Sequence, residues 1–245
     1  TSIFKSHLDQ DVYKFHMGCV FWDKFRGTPT EYAYKCRDKD VNLRHLYTPL
    51  CREIEAMQDI SLTKDEQKWL FENTKVTQDY LVNFLASFKF RSSQVKIKKI
   101  AENPGLSIRP TGPIEEASLW EMPLMYIISE LYFKHLYGNK FIEIEQEAKN
   151  DLSRRVANLK LNIREYEQSH NCNLRFLFSE FGTRRRLSHN HQKIAIALLK
   201  EEVFTEMVGT SNMYFAKKYN LKAVGTQAHE YYLFYQAFHH ILDSQ

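Results

Sequence analysis

Glycine, proline and long apolar runs are all scarce in this sequence. Of its 245 residues, 8 are glycine and 6 are proline, which excludes a collagen-like or linker-like chain. No stretch of about 18 apolar residues occurs, and the mean hydropathy is −0.50. We therefore predict no transmembrane helix and no membrane partner. Residues 1–7 lack the apolar core of a secretory signal, so we expect a cytoplasmic protein. Because the sequence does not begin with methionine, we expect that its start was trimmed or is not shown.

Cysteine is also scarce, and neither charge sign is in large excess. No two of the four cysteines have the Cys-x-x-Cys spacing of a zinc site, so we predict free thiols in a reducing compartment. The net charge is +4 and the pI is about 8.7. This weakly basic balance does not by itself indicate a nucleic-acid partner, and it would suit a small anionic substrate.

What is present is an ordinary globular composition, with 43% hydrophobic and 14% aromatic residues. Such a chain can bury a sizeable core in one domain or two. Apolar periodicity predicts helices at 11–25, 50–58, from 63 onward, and at 79–88, 123–137 and 143–160. Alternation predicts strands at 30–37, 95–100 and 106–110, the last two paired across the turn at 103–105. The break at 111–113 places a domain boundary near Ser118.

Three Gly-Thr pairs follow apolar segments in the last third of the chain. They are Gly182-Thr183, Gly209-Thr210 and Gly225-Thr226, and helical patterns follow at 189–201, 212–219 and 228–238. Strands that alternate with helices predict a parallel sheet or barrel, with ligands at the carboxyl ends of the strands. There, glycine admits a ligand to the backbone, and a hydroxyl can cap the next helix. Ordinary turn chemistry is the alternative, but three such pairs in succession favour a functional site.

Charged and titratable residues stand at two of these three junctions. Arg184, Arg185 and Arg186 follow the first, and guanidinium groups match phosphate geometry bidentately, each bond contributing about 1.5–3 kcal/mol. The alternatives for this triplet are a solvated basic turn or a salt-bridge cluster. Nucleic-acid binding is disfavoured, since no recognition motif accompanies the triplet. His229 and Glu230 follow the third junction. A histidine near bound phosphates can accept a phosphoryl group, although a structural histidine remains the alternative.

Five segments, in order along the chain, carry a resemblance to a known family. They are LDQDVYK (8–14), LWEMPL (119–124), EFGTRRR (180–186), VGTSN (208–212) and GTQAHE (225–230). Any one of them alone is a weak signal. Together they resemble the nicotinate phosphoribosyltransferases from near the first residue to the last.

The resemblance implies an α/β fold of the type II phosphoribosyltransferase kind. It implies an N-terminal α/β domain at 1–118 and the first part of an irregular α/β barrel at 119–245. The implied reaction transfers phosphoribosyl from phosphoribosyl pyrophosphate (PRPP) to nicotinate, giving nicotinate mononucleotide and pyrophosphate for NAD salvage. ATP hydrolysis is coupled to it through a phosphohistidine, and Mg²⁺ accompanies the pyrophosphate. The implied assembly is a homodimer with shared active sites.

The resemblance also implies roles for individual residues. Phe181 would stack on the pyridine ring, and the partner subunit's Tyr13 would cover its other face. Arg184 would bind phosphate at the PRPP end. Ser211 stands where nicotinamide-using relatives carry an aspartate, which favours a carboxylate substrate. His229 would be the phosphohistidine, with Glu230 orienting its ring. The remaining implied substrate-binding positions are Gly182, Thr183, Gly209, Thr210 and Thr226.

The family's chain continues beyond the position of Gln245, into an acidic segment that binds ribose hydroxyls and a Gly-rich phosphate loop. We therefore expect this chain to be part of a longer enzyme and to be inactive alone, since an incomplete barrel exposes strand edges. The alternative is a truncated, non-catalytic paralogue that keeps pyridine-binding or dimerising contacts. Whether the reading frame continues past Gln245 separates the two.

Overall fold

A computed structural model describes residues 2–38, 40–174, 176–203 and 206–243. Its helices are α1 (Val12–Lys24), α2 (Tyr47–Ala56), α3 (Lys64–Asn73), α4 (Gln78–Tyr80), α5 (Ile114–Ala117), α6 (Glu121–Tyr137), α7 (Phe141–His170), α8 (His189–Glu202), α9 (Met213–Tyr219) and α10 (His229–Asp243). Its strands are β1 (Pro29–Glu31), β2 (Val95–Lys99), β3 (Leu106–Pro113), β4 (Phe178–Glu180), β5 (Met207–Thr210) and β6 (Lys222–Ala223). A π-helical turn, Leu81–Leu85, continues α4.

The first sheet is antiparallel, in the order β1-β3-β2. The predicted pairing of 95–100 with 106–110 is confirmed, with Ile97 opposite Ile108. The predicted strand 30–37 is shorter than expected, because β1 ends at Glu31. Its extended backbone nevertheless continues along β3, where the Tyr34 amide donates to the Ile108 carbonyl at 3.0 Å.

The second sheet is parallel, in the order β4-β5-β6. Helix α8 connects β4 to β5 and α9 connects β5 to β6, so the predicted alternation of strands and helices is confirmed. Carboxyl ends of parallel strands meet at one edge of a sheet, which brings the first two Gly-Thr junctions together. The described strands form an open three-stranded sheet, so the irregular barrel expected from the resemblance is not closed within them.

One main core joins the N-terminal part of the chain to the parallel layer. It includes Phe15 of α1, Trp120 and Leu124 at the start of α6, and Met213 of α9, all at most 3% exposed. Each such buried side chain contributes about 1.5–3 kcal/mol. Ser118, near the predicted domain boundary, is itself fully buried, and the boundary stays a prediction.

Several helices begin where the sequence predicts. Thr63 and Glu66 form the expected capping box at the start of α3. Helix α6 begins at Glu121, two residues before the predicted Pro123, which lies in the first turn, where an amide has no intrahelical partner. Helix α7 is longer than the predicted 143–160, but its polar face is solvated as expected, with Val156 its buried residue. Within the described ranges, no helix combines the length and apolarity needed to cross a bilayer.

Candidate active site

The N-terminal segment crosses the carboxyl ends of the parallel strands. Asp11 forms an antiparallel bridge with Asn212. The Val12 amide donates to the Ser211 carbonyl at 2.9 Å, and the Met213 amide donates to the Gln10 carbonyl at 3.0 Å. Two of the family-like segments, distant in sequence, therefore form one layer at the edge of the sheet.

A buried ion pair anchors this layer. The Arg186 guanidinium binds both carboxylate oxygens of Asp9, at 2.7 and 2.8 Å, and it lies 4.0 Å from the ring centroid of Tyr126. The Asn212 amide donates to Asp9 at 2.8 Å. Burial raises the pKa of Asp9, but Arg186 outweighs it and holds the pKa below its ordinary value. For Arg186, the salt-bridge alternative is therefore correct, and the triplet does not present three cations to solvent.

The threonines of the first two junctions belong to a polar network beside this pair. Thr210 Oγ1 donates to Glu180 Oε2 at 2.6 Å. Thr183 Oγ1 accepts from Gln192 at 3.1 Å and from Asn212 at 3.2 Å. Both threonines are fully buried, and buried hydroxyls need hydrogen-bond partners. The network therefore connects the ends of β4 and β5 to α8.

The two junction threonines do not cap the helices that follow them, and of these two helices only α8 is capped by a hydroxyl. Ser188 caps α8 by accepting from the His191 amide, and Asn212 caps α9 by accepting from the Phe215 amide. The caps stand five residues after Thr183 and two after Thr210, and the hydroxyls of both threonines take part in the polar network.

Two of the junction glycines permit close approach within the protein. A Cβ at Gly209 would lie 2.1 Å from the Lys222 carbonyl oxygen, and one at Gly225 would lie 2.8 Å from Val12 Cγ1. Real Cβ contacts are longer than this, so any larger residue would separate β5 from β6 or push α1 from the third junction. The ligand approach predicted for these glycines is not needed to explain them.

A second ionic cluster lies where α1, α6 and α10 meet. The Lys14 ammonium contacts the carboxylates of Glu121 and Glu230, and the Tyr32 hydroxyl donates to the other oxygen of Glu230. We call these four residues the Lys14 cluster. The Lys14 side chain is 0% exposed. Arg184 Nη1 lies 3.5 Å from Glu121 Oε1, so the cluster reaches the first Gly-Thr junction.

The two carboxyls of the Lys14 cluster respond differently to burial. Burial opposes ionisation of both. At Glu121, the Lys14 ammonium outweighs burial and lowers the pKa. At Glu230, burial prevails over Lys14 and raises the pKa. Glu230 is therefore the carboxyl of this cluster that is protonated more easily.

The predicted aromatic and arginine contacts lie at the rim of this region. Phe181 is 45% exposed and the Arg184 side chain 48% exposed, so both are accessible to a ligand. Tyr13 is buried and contacts Met122 Sδ at 3.8 Å, and burial raises its pKa to about 12. Its backbone lies beside Gly225 of its own chain. Its contact with a pyridine bound by a partner subunit stays a prediction.

Ser211 is placed differently from a residue that contacts a ligand directly. Its side chain is fully buried, and Oγ donates to Asp11 Oδ1 at 2.7 Å. Burial raises the pKa of Asp11 despite this hydrogen bond. Ser211 thus contacts Asp11, and its predicted influence on substrate choice stays a prediction.

The third junction carries the predicted phosphohistidine. Thr226 and His229 are exposed, and His229 is the first residue of α10. Glu230 uses both carboxylate oxygens, one on Lys14 and one on Tyr32. Adjacent helical residues do not face each other, and the role predicted for Glu230 at the His229 ring stays a prediction. Glu230 ties the first turn of α10 to α1.

Two models of one family match the chain in separate regions. The model described as the nicotinate phosphoribosyltransferase N-terminal domain matches residues 8–129. The model described as the nicotinate phosphoribosyltransferase family matches residues 176–244. This chain belongs to the nicotinate phosphoribosyltransferase family. The matched regions include all five segments that carry the resemblance.

Individual members of the family are similar over nearly all of this chain. The nicotinate phosphoribosyltransferase of Pectobacterium atrosepticum is 34% identical over 96% of this chain and 55% of its own length. That of Methanosarcina acetivorans is 34% identical over 93% of this chain and 56% of its own length. The crystal structure of the Porphyromonas gingivalis enzyme has a TM-score of 0.76 at 29% identity, over 93% of this chain and 54% of that one. The chain thus spans about half the length of the relatives it matches.

Several charged residues of this site had no role, or in the case of Arg186 only one shared with its neighbours, in the sequence analysis. They lie within the family-like segments, and they are Asp9, Asp11, Lys14, Glu121 and Arg186. For Lys14 and Glu121, the available signal was a charge among apolar neighbours that are predicted to be buried, since buried charges are paired. That signal marks each residue but does not identify its partner.

Two surface clefts lie away from these residues. One, of about 440 Å³, is lined by residues between Arg164 and Asn173, and the other, of about 350 Å³, by Ala197, Lys200, Glu201 and Tyr219. Neither contains a predicted site residue. The ionic and polar networks, rather than these clefts, bring the family-like segments together.

We expect folding to exclude a proton from His189, which lies beside the Asp9–Arg186 pair. Burial lowers the pKa of His189 from 6.5 to about 4. Between these pH values, the unfolded chain binds a proton that the folded chain does not, so stability falls as pH falls through this window. The His189→Gln variant should lose this dependence. Urea unfolding of the variant at several pH values should show a free energy of unfolding that changes less with pH than that of the wild type between pH 6.5 and 4. An equal pH dependence in the two proteins would contradict the prediction.

Proposed function

We propose that the protein containing this chain transfers phosphoribosyl from PRPP to nicotinate, forming nicotinate mononucleotide and pyrophosphate in NAD salvage. One observation carries the proposal. The family-like segments meet at the ends of β4, β5 and β6, through the Asp9–Arg186 pair, the Asp11–Ser211 bond and the Lys14 cluster. The relatives with this name support the assignment.

The chemistry requires positioning more than a side-chain nucleophile. The pyridine nitrogen forms a bond to C1 of the ribose as the bond from C1 to the pyrophosphate oxygen breaks. An oxocarbenium-like transition state is stabilised by orientation and by cations near the leaving group. Phe181, exposed at the end of β4, supplies a ring face for the pyridine. Arg184, half-exposed on the same turn, supplies a guanidinium for phosphate.

ATP coupling is proposed to act through His229. Its imidazole takes the γ-phosphoryl group of ATP, releasing ADP, and water later hydrolyses the phosphohistidine to phosphate. The exposure of His229 at the start of α10 supports this role, because a nucleotide can reach it. A phosphate bound there adds negative charge at the pyrophosphate end of the site.

Magnesium is proposed to arrive with the pyrophosphate group of PRPP. Among the described residues, no three histidine, cysteine, aspartate or glutamate side chains are grouped to hold a metal ion. We derive no step through the metal. A homodimer with shared sites and a cytoplasmic location also remain proposals.

Comparing two pyridine substrates tests the proposed function. The protein encoded by the complete reading frame, given PRPP, ATP and magnesium, should use nicotinate at least about tenfold faster than nicotinamide, because no carboxylate stands at position 211 to repel the substrate. Chromatography of the mononucleotide products measures both rates. A preference for nicotinamide would refute the argument from Ser211. No product from either substrate would favour the non-catalytic alternative.

A further inference from the structure

Contacts of the Lys14 cluster run without interruption from Arg184 to the first turn of α10. Arg184 lies 3.5 Å from Glu121, Glu121 contacts Lys14, and Lys14 contacts Glu230. Glu230 directly follows His229 in α10. We infer that the Lys14 cluster positions His229 relative to Arg184, so that Lys14, Glu121 and Tyr32 are positioning residues for the phosphohistidine step. The inference rests on the proposed function.

The cluster is not needed to attach α10 to the rest of the protein. Aromatic residues of α10 already pack on α1, with Phe234 centred 5.0 Å from Phe21 and 5.1 Å from Phe25. Phe238 also lies 5.0 Å from Phe25. These contacts lie one to two turns beyond Glu230. The aromatic cluster therefore holds the body of the helix, and the Lys14 cluster holds its first turn.

Burying charges here has a cost that a purely structural contact avoids. The Lys14 side chain is fully buried and its two carboxylate partners are 26% and 20% exposed. Apolar residues of similar size commonly stabilise such a site as well as an ion pair does. Ionic contacts instead define direction, since Glu230 is held toward α1 by two partners while the adjacent His229 faces solvent. This orientation is what a phosphoryl acceptor requires.

Charge balance connects the cluster to the ligand end of the site. The cluster has two carboxylates, those of Glu121 and Glu230, and one ammonium, that of Lys14. Among the described residues, Arg184 is the second cation within 4 Å of these carboxylates. A phosphate bound by Arg184 competes with Glu121 for the same guanidinium. Phosphate binding at Arg184 thereby changes the contacts of Glu121 with Lys14, and through Lys14 it affects the turn that carries His229.

Four variants of the protein encoded by the complete reading frame test the inference. Lys14→Met removes the ammonium, Tyr32→Phe removes one hydroxyl, and Lys14→Arg retains the charge. Lys24→Met serves as the matched control, because it removes a lysine of the same helix whose side chain is 66% exposed. The measurements are ATP hydrolysis, mononucleotide formed per ATP hydrolysed, and the ATP-independent transfer rate.

Lys14→Met should lower kcat for ATP hydrolysis by about 10- to 100-fold, because a small displacement of a reacting group costs this much. The KM for nicotinate should change by less than about threefold, since the pyridine contacts are on other residues. Tyr32→Phe should give a smaller loss in the same direction, Lys14→Arg should restore part of the activity, and Lys24→Met should match wild type.

The outcomes separate this inference from the proposed function. If wild type forms no mononucleotide, the proposed function and the inference both fail. If wild type is active and folded Lys14→Met and Tyr32→Phe proteins keep its ATP hydrolysis and its ratio of product to ATP, the inference alone is overturned. If Lys14→Met does not fold, the Tyr32→Phe measurement decides: a lower kcat for ATP hydrolysis with an unchanged KM for nicotinate supports positioning, and unchanged hydrolysis overturns it.

Discussion

Replacing Arg186 by methionine should lower the free energy of unfolding by about 3–5 kcal/mol, because it leaves the Asp9 carboxylate buried without its partner. Both side chains are at most 1% exposed, so water cannot take the place of the guanidinium. The substitution also removes the contact with the Tyr126 ring. Urea unfolding followed by tryptophan fluorescence should show the loss.

The neighbouring arginine provides the matched control for this prediction. Arg185 is exposed, so Arg185→Met should change stability by no more than about 0.5 kcal/mol. Adding Asp9→Asn to Arg186→Met removes the unpaired charge, and it should recover part of the loss. Equal stability of the Arg185→Met and Arg186→Met proteins would show that the buried pair contributes little.

Replacing His229 by alanine should reduce ATP hydrolysis by at least about a hundredfold, because the variant lacks the nitrogen proposed to accept the phosphoryl group. Slow transfer from PRPP to nicotinate should remain without ATP, since that step needs no side-chain nucleophile. Phosphate release and mononucleotide formation, measured on the same protein from the complete reading frame, separate the two effects.

A second histidine of α10 controls for general damage to the helix. His239 is exposed and lies beside Tyr235, so His239→Ala should hydrolyse ATP at the wild-type rate. Undiminished hydrolysis in His229→Ala would refute the role of His229. Equal losses in both variants would indicate that the helix, rather than the imidazole, matters.

Local signals in the sequence predicted most of the secondary structure that positions the site. The hairpin of β2 and β3, the capping box at Thr63 and the alternation of β4, α8, β5 and α9 depend on residues within a few positions of each other. The barrel came only from the resemblance, and the described strands form an open sheet.

Local signals could not predict which side chains of the site pair with each other. Lys14 and Glu230 are 216 residues apart, and Asp9 and Arg186 are 177 residues apart. The Arg184–Arg186 triplet looks uniform in sequence, yet one member is buried in an ion pair, one is exposed, and one lies between Glu121 and solvent. The partners of Glu230 were not predicted for the same reason, since they are on distant elements.

The sequence by itself determined the family, the order of strands and helices, and the residue types available for phosphate and pyridine chemistry, because segment identity and periodicity are local properties of the chain. Only the tertiary structure decided which charges are paired, which hydroxyls are used inside the protein, and which of Phe181, Arg184, Ser211 and His229 remain accessible. Packing brings distant groups within hydrogen-bond distance, and burial then makes each buried charge depend on its partner.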